Sequence, residues 1–304
     1  MHSSTSRVVC GAMLAVALAN GGAGAQGPAG TDIHLVPLTI GDTSVHLGAP
    51  INITSRPGYD NQPSFTPDGR ALFFTSVRAD AQADIYRYDV APRTTSRVTA
   101  TAESEYSATV MPGGRRFSVI RVEADSTQRL WSFALDGTEP RVVLADVKPV
   151  GYHAWSDDST VAVFVLGSPA TLQIAKTHGG ATAQVAGNIG RSLAQVPGSR
   201  SISFMRRSGS DWAIERHDPS RGQTETLGTG VPGAEYIAWL ANGRLLTAAG
   251  NKLYFGVLES PGGQATIRWR EVATFADPAL QRLSRLAVSP DGRWLALVAA
   301  EPAR

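Results

Sequence analysis

The sequence predicts an all-β chain built from one four-strand unit used repeatedly, and three observations carry that prediction. The tetrapeptide Pro-Asp-Gly-Arg stands between two apolar runs at residues 67–70 and again at 290–293. Weaker versions of the same hairpin recur between them at near-constant spacing. Nothing after residue 32 sustains a helical period.

The first hairpin reads "PSFTPDGRALFFTS". Pro67 presets φ at the second turn position, Asp68 tolerates the third, and Gly69 takes the positive φ that closes the turn. The flanking runs are aromatic and β-branched, as paired strands require. The pattern returns at Pro112, Asp157, Pro197, Ala241 and Pro290, at intervals of 45, 45, 40, 44 and 49 residues. Two further strand candidates follow each of the first five hairpins: "DIYRYDV" and "SRVTAT", "RLWSFAL" and "PRVVLA", "TLQIAKT" and "TAQVA", "DWAIERHD" and "TETLG", "KLYFGVL" and "IRWREVATF". Four strands in every 40–50 residues is the pattern of a β-propeller.

The sixth hairpin has no such pair after it, whereas "DIHLVPL" and "SVHLGAPINIT" precede the first. The expectation is a six-bladed β-propeller closed by N-terminal strands pairing into the last blade. That arrangement leaves no unpaired strand edge.

Residues 1–25 read as a secretory signal peptide: Arg7, the apolar run "VVCGAMLAVALA", then small residues, with cleavage expected near Ala25. Cys10 sits at the start of the apolar run, not after it, which argues against a lipid anchor. Residues 26–31 are expected to be a short flexible linker and 32–304 a single propeller domain, periplasmic or secreted, with no transmembrane segment. The net charge of +2 falls to +1 without Arg7, and the arginines are scattered, so nothing favours a nucleic-acid partner.

The stretches "PSFTPDGRALFFTSVRADAQADIYRYDV" and "LAVSPDGRWLALV" resemble the TolB-type, WD40-like propellers. The likeness extends over the whole chain after the leader and is sharpest in the first and last units. It implies a propeller that binds partners at one face of its ring. TolB itself carries an additional N-terminal α/β domain for which these residues leave no room, so a role in the Tol-Pal system does not carry over. Peptidases that use such propellers as lids add an α/β-hydrolase with a Gly-x-Ser-x-Gly elbow, and this sequence contains none.

The positions entering each inner strand form a ring of candidates at one mouth of the channel: Asn61 and Gln62, Tyr106 and Ser107, Gly151 and Tyr152, Arg191 and Ser192, Glu235 and Tyr236, Ser284 and Arg285, flanked by Asp60, Glu105 and His153. Of these, Asn61, Gln62, Tyr106, Tyr152, His153, Arg191, Glu235, Tyr236 and Arg285 are the ligand-binding candidates. Tyrosine gives amphipathic contact area and arginine gives bidentate bonds to carboxylates, a mixture suited to a peptide segment or a small anion. The same polar residues would also line a merely solvated channel.

No cofactor or metal is expected, since His34, His46, His153, His178 and His217 have no ligand spacing to one another. "GTGVPG" at 228–233 has the Gly-x-Gly-x-x-Gly form but contains Pro232 and precedes a strand, so it is a loop. Trp155 and Trp239 align with Phe65 as blade-core aromatics. The function expected is a non-enzymatic scaffold that binds a protein or peptide. The alternatives are a sugar- or ester-directed hydrolase or lyase using Glu235, His153 or Glu105, and a detached lid for a separate peptidase.

Overall fold

The structure is a computed structural model describing residues 29–78 and 81–302. The signal peptide expected at 1–25 lies outside the described residues. The described chain is all-β apart from two three-residue 3-10 turns, and no helix in it is long and apolar enough to cross a membrane.

It opens with β1 (Thr31–Ile40), β2 (Val45–Leu47) and β3 (Ile51–Asn52). Five groups of four follow. The first is β4 (Tyr59–Phe65), β5 (Ala71–Val77), β6 (Ala83–Asp89) and β7 (Thr94–Arg97); the second is β8 (Ser104–Val110), β9 (Arg116–Val122), β10 (Gln128–Ala134) and β11 (Arg141–Leu144). The third is β12 (Val150–Trp155), β13 (Thr160–Val165), β14 (Thr171–Lys176) and β15 (Ala183–Gly187). The fourth is β16 (Ile189–Gln195), β17 (Ile202–Ser208), β18 (Asp211–Asp218) and β19 (Gln223–Thr229). The fifth is β20 (Ile237–Trp239), β21 (Leu245–Ala249), β22 (Lys252–Glu259) and β23 (Thr266–Thr274), after which come β24 (Leu283–Val288) and β25 (Trp294–Ala300).

The second to fifth groups are separate four-stranded antiparallel sheets in simple chain order. The first group belongs to a nine-stranded sheet of order β24-β25-β1-β4-β5-β6-β7, with β2 and β3 paired to β1. Within it β1 runs antiparallel to β25 from Thr31↔Ala300 to Pro37↔Trp294, while its link to β4 is the single parallel pair Thr31↔Tyr59. The second N-terminal strand expected from "SVHLGAPINIT" is two short pieces, because Gly48 packs against Pro37 and donates its N–H to the Pro37 carbonyl (2.8 Å), after which Pro50 has no donor to offer β1.

The two Pro-Asp-Gly-Arg turns close with the same bonds. Gly69 N–H donates to Thr66 O and Gly292 N–H to Ser289 O (both 2.9 Å), each glycine at a φ near +70°. The hydroxyls of Thr66 and Ser289 donate to the Asp68 and Asp291 carboxylates (both 2.6 Å). Each carboxylate in turn accepts the N–H of the following arginine, Arg70 or Arg293 (both 3.1 Å). The turns are neighbours, since a Cβ on Gly69 would lie 2.9 Å from the Asp291 carboxyl carbon.

Side chains alternate across each strand, so every sheet presents apolar faces to the next. Phe73, Ile85, Phe117 and Phe133 fill one such layer, with ring centroids 5.1 Å apart for Phe73 and Phe117 and 5.6 Å for Phe117 and Phe133. On β1, Ile33 and Leu35 pack with Phe65, Leu72 and Phe74, while Val36 and Leu38 pack with Leu240, Leu246 and Leu253. Polar links join successive sheets as well. Gln62 Oε1 accepts the Ser107 N–H (2.8 Å), and Ser192 Oγ, 45 residues before its partner, accepts the Ile237 N–H (3.2 Å). Trp155 and Trp239, expected as core aromatics, donate their indole N–H groups to Ser118 (2.9 Å) and Ser203 (2.8 Å) of the preceding sheet.

Candidate binding channel

Every first strand of a group except β20 slips register against its neighbour near its entry: between Asn61 and Ser64, Tyr106 and Thr109, Val150 and Tyr152, Ile189 and Leu193, and Leu283 and Leu286. At two of these slips Gln62 and Ser107 sit at φ 60° and 56°, a conformation that re-aims a side chain as a bulge does.

The candidate pairs therefore divide. The second members, Gln62, Ser107, Tyr152, Ser192, Tyr236 and Arg285, all line one cavity of about 930 Å³. It lies among β4, β8, β12, β16, β20 and β24 and reaches the turns at Pro67, Pro112, Pro197 and Pro290. Among the first members, Tyr106, Gly151 and Glu235 line a second cavity of about 970 Å³ at the opposite strand ends, walled by Phe164, Leu166 and Trp212. Gln62, Tyr152 and Arg191 line both, so the ring is the partition the two cavities share. Asn61 lines neither; its Oδ1 accepts the Gln62 N–H (2.7 Å) and so supports the bulge.

Arg285 is the centre of the ring. Its guanidinium lies 4.3 Å from the Tyr236 ring centroid and 4.9 Å from that of Tyr152, and Nη2 donates to Tyr236 Oη (2.8 Å). Burial raises the phenol pKa values of Tyr59, Tyr106 and Tyr236 above the ordinary value, so these side chains stay neutral near pH 7. Tyr59, close enough to Arg285 for each to shift the other's protonation, was not among the sequence candidates. It lies two residues before Asn61 on β4, a relation that strand alternation offers as its only sequence signal.

Glu105 is buried, lies on neither cavity wall, and accepts from Thr101 Oγ1 (2.5 Å) with Arg121 Nε 3.5 Å away. Asp60 is likewise buried and paired to Arg56 (3.0 Å). Both acids are held by partners in their own sheet or the loop leading into it, and neither lines either of these two cavities.

His153 borders the 930 Å³ cavity, but its Nε2 is 2.7 Å from Ser118 Oγ, and Ser118 is fully buried. Ser118 also lies 3.2 Å from the Thr109 carbonyl. An Nε2–H tautomer suits these contacts, since imidazole and indole then donate to Ser118, which donates to Thr109, while the buried Nδ1 of His153 is left without a partner. The serine is then no nucleophile and the imidazole no base towards it. Burial pushes the imidazole pKa down to about 3. Ser118→Ala strands two buried donors, those of Trp155 and His153, whereas Ser203→Ala strands only that of Trp239. At about 1–3 kcal/mol per stranded group, urea unfolding should show Ser118→Ala costing roughly twice as much as Ser203→Ala.

Among the described residues no group of three or more His, Cys, Asp or Glu side chains is placed to hold a metal ion.

No protein-family model matches the chain. Solved structures do resemble it. The putative TolB of Agrobacterium tumefaciens superposes with a TM-score of 0.67 at 15% identity, covering 91% of this chain and all of that one. TolB of Acinetobacter baumannii gives 0.57 at 14%, covering 90% of this chain and 65% of its own. A gluconolactonase from Xanthomonas campestris gives 0.58 at 11%, covering 90% and 98%. Identities this low speak for the fold alone. Together with the all-β sheets in chain order and the shared central cavity, they establish that the chain has a TolB-like β-propeller fold.

Proposed function

We propose that this chain is an exported, six-bladed propeller, closed by β1, that captures a peptide or protein segment in its channel at the ring of Gln62, Tyr152, Tyr236, Arg285 and Arg191. Closure is supported by the seven-residue pairing of β1 with β25 and by the apolar layer of Ile33, Leu35, Phe65 and Val298 that spans the first and last units. Export rests on the leader pattern of residues 1–25.

The observation that carries the binding reading is the convergence of ring residues from four strands and from the position just before β20, rich in tyrosine and arginine, on one 930 Å³ cavity. Such a surface offers rigid amphipathic contacts with little side-chain entropy to lose. A hydrolase or lyase needs acid and base groups meeting at one place. Here Glu105 is buried off both cavities, Glu235 lines one and His153 the other. What supports an enzyme is then likeness of fold to enzymes, an oligogalacturonate lyase and the gluconolactonase among them.

The test is fluorescence anisotropy of residues 26–304 against an array of labelled, unstructured 15-residue peptides. Binding of a subset of peptides, weakened at least tenfold by the triple change Tyr152→Ala, Tyr236→Ala, Arg285→Ala with the fold retained, is the expected result. If no peptide binds, or the triple variant binds as before, the reading fails.

A further inference from the structure

We infer that Arg285 and Arg191 form a seat for a carboxylate group at the inner end of the 930 Å³ cavity. This deepens the channel-binding reading above by naming the chemical group that reaches the ring.

The inference starts from a contrast among the arginines. Arg56, Arg87, Arg116, Arg121, Arg129 and Arg216, all at least half-buried, each hold a carboxylate within 4.0 Å. Arg191, Arg244 and Arg285 are equally withdrawn from solvent and have none among the described residues. Arg244 belongs to a surface turn, where its N–H is held by Asn242 Oδ1. The other two share a cavity wall.

A guanidinium carries five N–H donors. Tyr236 Oη accepts from Arg285, and the Tyr152 and Tyr59 phenols are also close enough to favour its charge. Its carbon lies over the Tyr152 and Tyr236 rings, and the tyrosine hydroxyls take up only part of the five donors, so others remain for a ligand. Burial raises the pKa of the Tyr59 and Tyr236 phenols, so neither of these serves as a counter-ion. Two acids border the cavities, Asp157 in the same one, where it faces Arg200 (3.9 Å), and Glu235 in the opposite one, and neither comes within 4.0 Å of Arg285 or Arg191. Two partly dehydrated cations with no carboxylate paired to either are costly, and a ligand anion relieves that cost. A planar carboxylate matches the guanidinium fork with two parallel bonds. The cavity opens among the turns, so the acid would be the leading end of whatever enters: a peptide carboxyl group or a small organic acid.

Calorimetric titration with two matched pairs tests this: 3-phenylpropionate against 3-phenylpropionamide, and one tripeptide ending in phenylalanine with a free against an amidated C-terminus. At least one acid should bind at least tenfold tighter than its amide. Arg285→Gln should bring that ratio close to one, Arg191→Gln should reduce it severalfold, and Arg285→Lys, a point charge of similar length, should keep part of it. Melting curves identify any variant that fails to fold, and the conservative lysine variant then decides. Acid and amide binding equally in both pairs, no acid binding, an undiminished preference in Arg285→Gln, or tighter binding of inorganic phosphate would each overturn the carboxylate seat. The two readings separate cleanly. Array peptides that bind whether or not their carboxyls are blocked keep the peptide reading and remove the seat. Discrimination by the small acid alone, with no peptide bound, keeps the seat and removes the peptide.

Discussion

Replacing Ile33 with alanine is expected to lower the unfolding free energy by about 2–4 kcal/mol, and removing residues 31–54 altogether to leave an insoluble chain. Ile33 is fully buried and meets Phe65, Leu72, Phe74 and Val298, residues from both ends of the sequence. Truncating a buried isoleucine loses transfer energy and opens a void that rigid neighbours cannot fill. Val36 projects to the other side of β1, against Leu240, Leu246, Leu253 and Leu297. Deletion therefore uncovers two apolar layers together with the hydrogen-bonding edge of β25, where Leu295, Leu297 and Val298 are fully buried. A domain of this kind holds only about 5–15 kcal/mol in reserve. As a control, Thr95→Ala on the exposed strand β7 should change stability by no more than about 0.5 kcal/mol. Urea titration followed by tryptophan fluorescence decides the matter. A soluble 55–304 fragment melting like the longer chain would mean that β1 is an appendage and that closure fails.

Much of this architecture could be read from local chemistry. The turn at Pro67-Asp68-Gly69 closes through its own proline, carboxylate and glycine, and the same bonds recur at Pro290-Asp291-Gly292, so a sequence pattern translates directly into geometry. The strand expected from "DWAIERHD" is β18, Asp211–Asp218, because its residues alternate and its ends are marked by polar turns. The site was less legible. Gln62 and Ser107 adopt positive φ without being glycine, which no residue type announces, and this sends successive ring members to different cavities. The acids misled for a related reason. Glu105 reads as a mouth residue until Arg121, sixteen positions away on β9, is seen beside it. His153 looks free in sequence, and only the packing of Ser118 behind it, 35 residues earlier, shows that its Nε2 is occupied.

Glu105→Gln is expected to stabilise the protein at pH 8 while leaving it nearly unchanged at pH 4.5, the reverse of what loss of an ion pair would give. Glu105 sits in a crowded acidic neighbourhood. Arg121 contacts Glu103 through Nη2, so only its Nε, at 3.5 Å, approaches Glu105. Asp84 is near enough to repel, and it already pairs with Arg97 (2.7 Å). Burial is the largest influence and raises the carboxyl to about 7, against 4.5 for the free side chain. A carboxyl whose pKa rises on folding binds more protons in the folded state between those two values. Stability is then full below about pH 4.5 and declines until about pH 7, by as much as roughly 3 kcal/mol at 1.36 kcal/mol per pKa unit. Glutamine keeps the acceptor for Thr101 and cannot ionise, so its advantage should grow across that window and level off above it. If Arg121 instead held Glu105 ionised, glutamine would strand a buried guanidinium and cost about 3–5 kcal/mol at neutral pH. Urea midpoints for both proteins at pH 4.5, 5.5, 6.5 and 8 give the sign of the difference. A variant weaker than the parent at pH 8 would mean that the proton is not there and that Arg121 has satisfied both acids.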